Sequence, residues 1–225
     1  MAQLVWDKVA EKIYETGTDH GVIYPQKADG TYDTGVAWNG LTAFTESPSG
    51  AEKTDLWADN IKYVSLRSAE DYGGTIECYT YPDEFKPCVG EKQVSAGVNF
   101  GQQARQAFGF VCRTVVGNDT LMNDFGYKIH ICYGCTVSPS ERSYQTINDS
   151  PEAITFSYEF STTPVPITKE GYTNWKPVSS ITIDSTKFTS ESDKAKLTAL
   201  EAKLFGSANE DATLPTPDEI ITMFA

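Results

Sequence analysis

The chain has 225 residues, 40% of them apolar and 12% aromatic, enough for one large domain with a real core and too apolar for overall disorder. Asp and Glu number 31 against 18 Lys and Arg, and the net charge of −13 opposes attraction to phosphate backbones and to anionic lipid. Five cysteines, an odd count in a chain that is not small, argue against a disulfide scaffold, and neither a signal-peptide pattern nor an apolar run near ~18 residues is present; a soluble protein made in a reducing cytoplasm is expected.

Taken in order, the first two thirds read as β. The opening "MAQLVWDKVAEKIYETG" is amphipathic and polar, and strand-like runs follow at Gly21–Tyr24, Ile61–Ser68, Gly74–Tyr81, Ala107–Gly117 and Tyr127–Val137. They are rich in Tyr, Phe, Val, Ile and Thr, with turn residues between them, as in "SAEDYGG" and "VGNDT". From Val36 to Asn60 the chain is turn-rich yet carries Trp38, Phe44 and Trp57. It reads as a long loop, and two explanations stay open: a contact arm, or a loop folded back on its own core.

The stretch "ITFSYEFS" alternates strictly, with Ile154, Phe156, Tyr158 and Phe160 on one face and Thr155, Ser157, Glu159 and Ser161 on the other. That period belongs to a strand with one buried and one wet face. A Pro-rich connector over 164–178 then separates the β-rich core, 1–163, from a C-terminal piece, 179–225. This piece offers a strand in Ser179–Phe188 and a helix capped by Ser190, with Leu197, Leu200 and Leu204 on one face and Gly206 at its end. A last short helix starts with the capping-box spacing Thr216–Glu219 and Pro217 in first position. At about two turns it needs a host for Ile220, Ile221, Met223 and Phe224, in its own subunit or a neighbour.

Catalytic patterns are sparse. His130 lies in a strand run without evident partners, and His20 adjoins Asp19 only in sequence. Cys132 and Cys135 form a lone C-x-x-C; a zinc ribbon needs a second pair, and in an extended strand residues three apart point to opposite faces. The acidic pairs Glu70–Asp71, Asp83–Glu84, Glu210–Asp211 and Asp218–Glu219 read as solvated turn or helix-start residues. Phosphate-binding glycine loops, a nucleophile elbow and an EF-hand loop are missing from the sequence. The pattern favours a structural or binding protein over an enzyme.

Several segments together resemble one family. They are Leu4–Pro25, "GVAWNGLTAFTESPSGAEKTDLWADNIKY" (Gly35–Tyr63), "TIECYTYPDEF" (Thr75–Phe85), "GQQARQAFGFVCRTVVGND" (Gly101–Asp119), Gly126–Val165 and the tail "LPTPDEI". In this order they resemble the major tail proteins, or tail tube proteins, of long non-contractile-tailed bacteriophages, departing most at "KEGYTNWKP".

The resemblance implies a mainly β, sandwich- or barrel-like tail tube fold with a long inter-subunit loop and short flanking and C-terminal helices. It implies hexameric rings stacked into a tube, with a tape-measure protein in the lumen and tail terminator and distal tail proteins as partners. Double-stranded DNA passes through the lumen without sticking. The expected location is the virion tail, after synthesis in the host bacterial cytoplasm. No catalytic residue, metal or cofactor comes with the family. On this reading Trp38, Phe44 and Trp57 in the loop, and Ile220, Ile221 and Phe224 in the last helix, are candidate subunit contacts, and Thr155, Ser157 and Glu159 are candidates for the lumen wall. The alternatives are a β-sandwich carbohydrate- or receptor-binding module of a virion tip, a β-sandwich hydrolase using a carboxylate pair, and the tube subunit of a contractile device.

Overall fold

A computed structural model of the protein describes residues 4–147, 149 and 152–225. Residues 1–3, at the head of the core stretch, and 148, 150 and 151, which precede the alternating run, lie outside the described residues.

The strands are β1 (Ile13–Pro25), β2 (Val36–Trp38), β3 (Leu41–Glu46), β4 (Ser49–Gly50), β5 (Lys53–Ala58), β6 (Ile61–Arg67), β7 (Glu70–Asp71), β8 (Gly73–Cys78), β9 (Lys92–Ser95), β10 (Val98–Phe100), β11 (Phe108–Asn118), β12 (Met122–Val137), β13 (Phe156–Thr162) and β14 (Ser180–Asp184). Two helices close the chain, α1 (Glu191–Phe205) and α2 (Pro217–Phe224). The protein is thus mainly β, built on one large antiparallel sheet in the order β2-β1-β11-β12-β13-β8-β3, with β14 also on β12.

β12 organises the sheet because its two halves serve different partners. Lys128–Cys132 pairs with β14, and Cys135–Val137 pairs with β13, while β11 runs along the other side. Two cores result, one on each face of β1, β11 and β12. Ile23, Phe108, Phe110, Cys112 and Cys132 face Ile76 of β8 and Tyr158 and Phe160 of β13. Val22, Tyr24, Val111, Ile129, Ile131 and Tyr133 face Leu197, Leu200 and Leu204 of α1 and Ile220 of α2. Strands covered on both faces need apolar residues at consecutive positions, which is why "FGFVC" and "IHICY" do not alternate cleanly. Each fully buried Phe or Ile contributes about 1.5–3 kcal/mol by removal from water.

The turn between the halves of β12 is Gly134, whose φ of +58° is left-handed. A Cβ there would lie 2.4 Å from the carbonyl oxygen of Thr163, so only glycine fits. The register slips by one residue at this point, with Phe110 opposite Cys132 and Phe108 opposite Cys135. This bulge corrects the expectation that the two cysteines point apart: the extra residue returns both to the same core.

The Val36–Asn60 segment is not a loop. It contains β2, β3, β4 and β5. β2 and β3 are joined through Asn39 and Gly40 and lie at opposite ends of the sheet order, so the sheet rolls until its two ends meet at this corner. β5 and β6 form a hairpin whose two central residues, Asp59 and Asn60, both have positive φ (51° and 64°), the type I′ geometry that matches strand twist. β4 and β7 pair at the base of this ribbon, between β3 and β8.

Candidate assembly surfaces

The six proposed contact residues part company in the structure. Trp38 is 3% exposed; its indole Nε1 donates to the carbonyl oxygen of Thr80 at 2.9 Å, and its ring lies 4.4 Å from that of Phe85. Phe44 is half-buried, stacked on Phe160 at 6.2 Å and 5.5 Å from Phe110. Both belong to the first core, because β3 pairs with β8 and turns Phe44 inward beside Ile76. Trp57 alone stands out, 68% exposed. The expectation of a contact surface holding Trp38 and Phe44 is therefore corrected: strand pairing placed them inside the subunit.

Around Trp57 the structure shows a feature the sequence reading missed. Apart from Asp55 at intermediate burial, the β5–β6 ribbon is exposed along both strands, and it carries Leu56, Trp57, Ile61, Tyr63, Val64 and Leu66. The Asp59–Asn60 pair between two apolar runs is the signal of this hairpin in the sequence, although within a turn-rich stretch it reads as loop. A second exposed ribbon, β9–β10, carries Val94, Val98 and Phe100.

The terminal helix docks on its own subunit. Thr216 and Glu219 complete the capping box, as the spacing predicts. Ile220 is buried in the second core, and Phe224 packs on Phe188 at 5.3 Å, so both are contacts within the subunit rather than free contact residues; Ile221 stays half-buried. Asp218 accepts hydrogen bonds from the Thr168 hydroxyl and from the backbone amides of Thr168 and Lys169, the latter two at 3.0 and 3.1 Å; the hydroxyl first and then the amides hold its carboxyl below the usual range. Lys196 Nζ reaches the carbonyl oxygen of Phe224 at 3.2 Å. These ties decide the docking question in favour of the chain's own body.

The wet face is where the alternation puts it. Phe156, Tyr158 and Phe160 turn inward, Ser157 and Glu159 are exposed on β13, and Thr155 is exposed just ahead of the strand. Ser157 lies opposite Glu77 and Glu159 opposite Thr75, with Thr45 next to Thr75 on β3. This face of β3, β8 and β13 is thus made of small hydroxyls and carboxylates, without a Lys or Arg among these six residues.

One polar cluster was also missed. His130, in β12, has a side chain 12% exposed, with Nε2 2.9 Å from the Thr114 hydroxyl and 3.6 Å from Glu15. Its Nδ1 lies 3.6 Å from Glu46 and has no hydrogen-bond partner. Burial pushes the Glu15 carboxyl up, but the Lys128 ammonium and the Thr114 hydroxyl outweigh it and hold the group below its usual value. Strand register, not sequence spacing, assembles these groups from β1, β3, β11 and β12.

Among the described residues, no group of three or more His, Cys, Asp and Glu side chains is arranged to hold a metal ion, and no helix is long and apolar enough to cross a membrane. No protein-family model matches the chain, and no curated protein matches it.

Proposed function

We propose that this chain is a structural virion protein, the subunit of a phage tail tube built from stacked hexameric rings. The observation that carries the reading is the β5–β6 ribbon. An exposed two-stranded hairpin is marginal in water on its own, and one bearing a Trp, a Tyr and several aliphatic side chains needs a second surface to cover it. A neighbouring copy supplies such a surface in a ring or stack.

Two features agree with this. β14 and the Ile13–Asp19 half of β1 each have a strand partner on one side only among the described residues, so the four strands β1, β11, β12 and β14 end on open edges that another copy can extend. The Thr45, Thr75, Glu77, Ser157 and Glu159 face suits a lumen wall. Carboxylates repel phosphate, and hydroxyls offer no charge to hold it, so DNA slides instead of binding. Tape-measure, tail terminator and distal tail proteins are the partners this reading implies, and the virion tail is the location. The test is electron microscopy of the purified protein at high concentration. Rings or tubes with a central channel are expected; a monomer at all concentrations would sink the reading.

A further inference from the structure

An apolar groove lies between the connector, β14 and α2. It has a volume of about 550 Å³ and is walled by Ile167, Trp175, Pro177, Ile181, Ile220 and Ile221, with Trp175 62% exposed at its lip. An unpaired stretch of the same character sits at the N-terminus, where Leu4, Val5, Trp6 and Val9 are 61–78% exposed.

The two lie at opposite ends of one strand. Ile13 is level with Asn118, which pairs with Met122 at the start of β12, whereas Ser180 of the groove pairs with Cys132. Met122 to Cys132 is roughly 33 Å of strand at about 3.3 Å per residue. The N-terminal segment is tied at the near end: Asn118 Nδ2 donates to the carbonyl oxygen of Ala10 at 3.4 Å, and Glu11 N to that of Lys8 at 3.1 Å. From Ala10 back to Leu4 the chain covers about 20 Å even when fully extended. It cannot fill the groove of its own subunit.

We propose that the Leu4–Val9 segment of one copy docks in this groove of a second copy, a head-to-tail contact. The inference rests on the tube reading and names the surfaces joining one ring to the next. Because tail and groove are different surfaces, the contact is heterologous, and each docked copy still offers a free tail or a free groove to the next. Charge favours this occupant over the β5–β6 ribbon. Lys176 lines the groove; Asp7 follows Trp6, and the neighbouring Lys8 is paired with Glu11 at 3.6 Å, whereas the ribbon's Lys53, Lys62 and Arg67, set against Asp55 and Asp59, leave it net positive like Lys176.

The test uses full-length Trp6→Asp and Trp175→Asp, both at exposed positions, with circular dichroism to verify folding. Each variant alone should raise the concentration needed for assembly by about tenfold or more, the scale of losing one buried aromatic anchor. Mixed together they should form one contact and stop, since one supplies an intact groove and the other an intact tail. A photo-crosslinker at position 6 should join separate chains, at residues 167–181 or 217–221. If Trp6→Asp forms tubes like the wild type, or if the crosslink falls within one chain, the docking proposal is overturned while the tube reading stands. If the wild type forms filaments without a channel and Trp6→Asp abolishes them, the docking proposal stands and the tube reading falls.

Discussion

Arg113 of β11 grips Asp19 of β1 through two parallel hydrogen bonds, Nε to Oδ1 at 2.8 Å and Nη2 to Oδ2 at 2.9 Å. The pair is the last in register before an irregularity in β1 between Asp19 and Val22, and so braces the ladder where it is interrupted. The guanidinium lies 5.0 Å from the centre of the Tyr127 ring, so the fork is held from three strand positions.

Hydrogen bonding to Arg113 holds the Asp19 carboxyl below its usual value. The folded state therefore binds this proton less tightly than the unfolded chain. The stabilisation is complete above the unfolded carboxylate range and is lost as pH falls through the folded value. Asp19→Asn should cost about 0.5–1 kcal/mol at pH 7, a modest figure because Asp19 is 40% exposed and solvent screens the pair. Urea titrations of both proteins at pH 7 and at pH 2.5 measure this, and the difference should shrink in acid. A gap that widens in acid would contradict the assignment.

Gly134→Ala places a methyl group against the Thr163 carbonyl in a left-handed backbone. Strain alone costs about 1–3 kcal/mol. Thermal denaturation should show a markedly less stable protein. An unchanged midpoint would mean that the β12 bulge is not needed for the packing of Cys132 and Cys135.

Substitution in the ribbon should separate folding from assembly. Trp57→Ser with Tyr63→Ser removes exposed apolar surface, so the unfolding midpoint should hold while tubes fail to form. Phe44→Ser should do the reverse, losing roughly 3 kcal/mol or more of stability because it empties a site among Phe110 and Phe160. Normal tubes from the double ribbon variant would remove the observation on which the proposed function rests.

Positive charge on the β13 face should leave folding intact but make an assembled tube hold DNA. Glu159→Lys and Ser157→Lys lie at exposed positions, so folding should be unaffected. Assembled tubes of the double variant should retain DNA at low salt and release it as salt rises. Retention equal to that of wild-type tubes would argue that this face does not line the channel.

The cysteines offer a simpler check. All five are buried as free thiols, and burial pushes Cys78 up to about 11 and Cys88 to about 12. Iodoacetamide at pH 8 should label none of them in the folded protein and all of them in urea, read by mass spectrometry.

Local signals carried well where a residue's neighbours in sequence are also its neighbours in space. Ser190 and the Thr216–Glu219 box cap their helices, Leu197, Leu200 and Leu204 are the buried face of α1, and Phe156, Tyr158 and Phe160 turn inward on β13, although that strand starts two residues later than its alternation does. The period also placed Ser157 and Glu159 in water. These features depend on helical or strand geometry and on hydrogen bonds three residues apart, which the sequence by itself determines. The β5–β6 ribbon was legible only in part, since its I′ turn resembles a loop until both strands are recognised.

Tertiary structure decided the rest, because register is a long-range quantity. Pairing of β3 with β8 drew Phe44 inward, and packing around Phe85 did the same for Trp38, although nothing local distinguishes either from the exposed Trp57. The half-strand Ile13–His20 is too polar to read as a strand, yet β11 recruits it through backbone hydrogen bonds that no side chain announces. One extra residue at Gly134 turned Cys132 and Cys135 to a single face. His130, Glu15 and Glu46 meet only because three strands align at that level. The apolar groove exists only once α2 has docked on its own subunit and left the connector's side open. Side-chain chemistry chose which residues avoid water; the sheet's pairing chose which of them found cover within the chain.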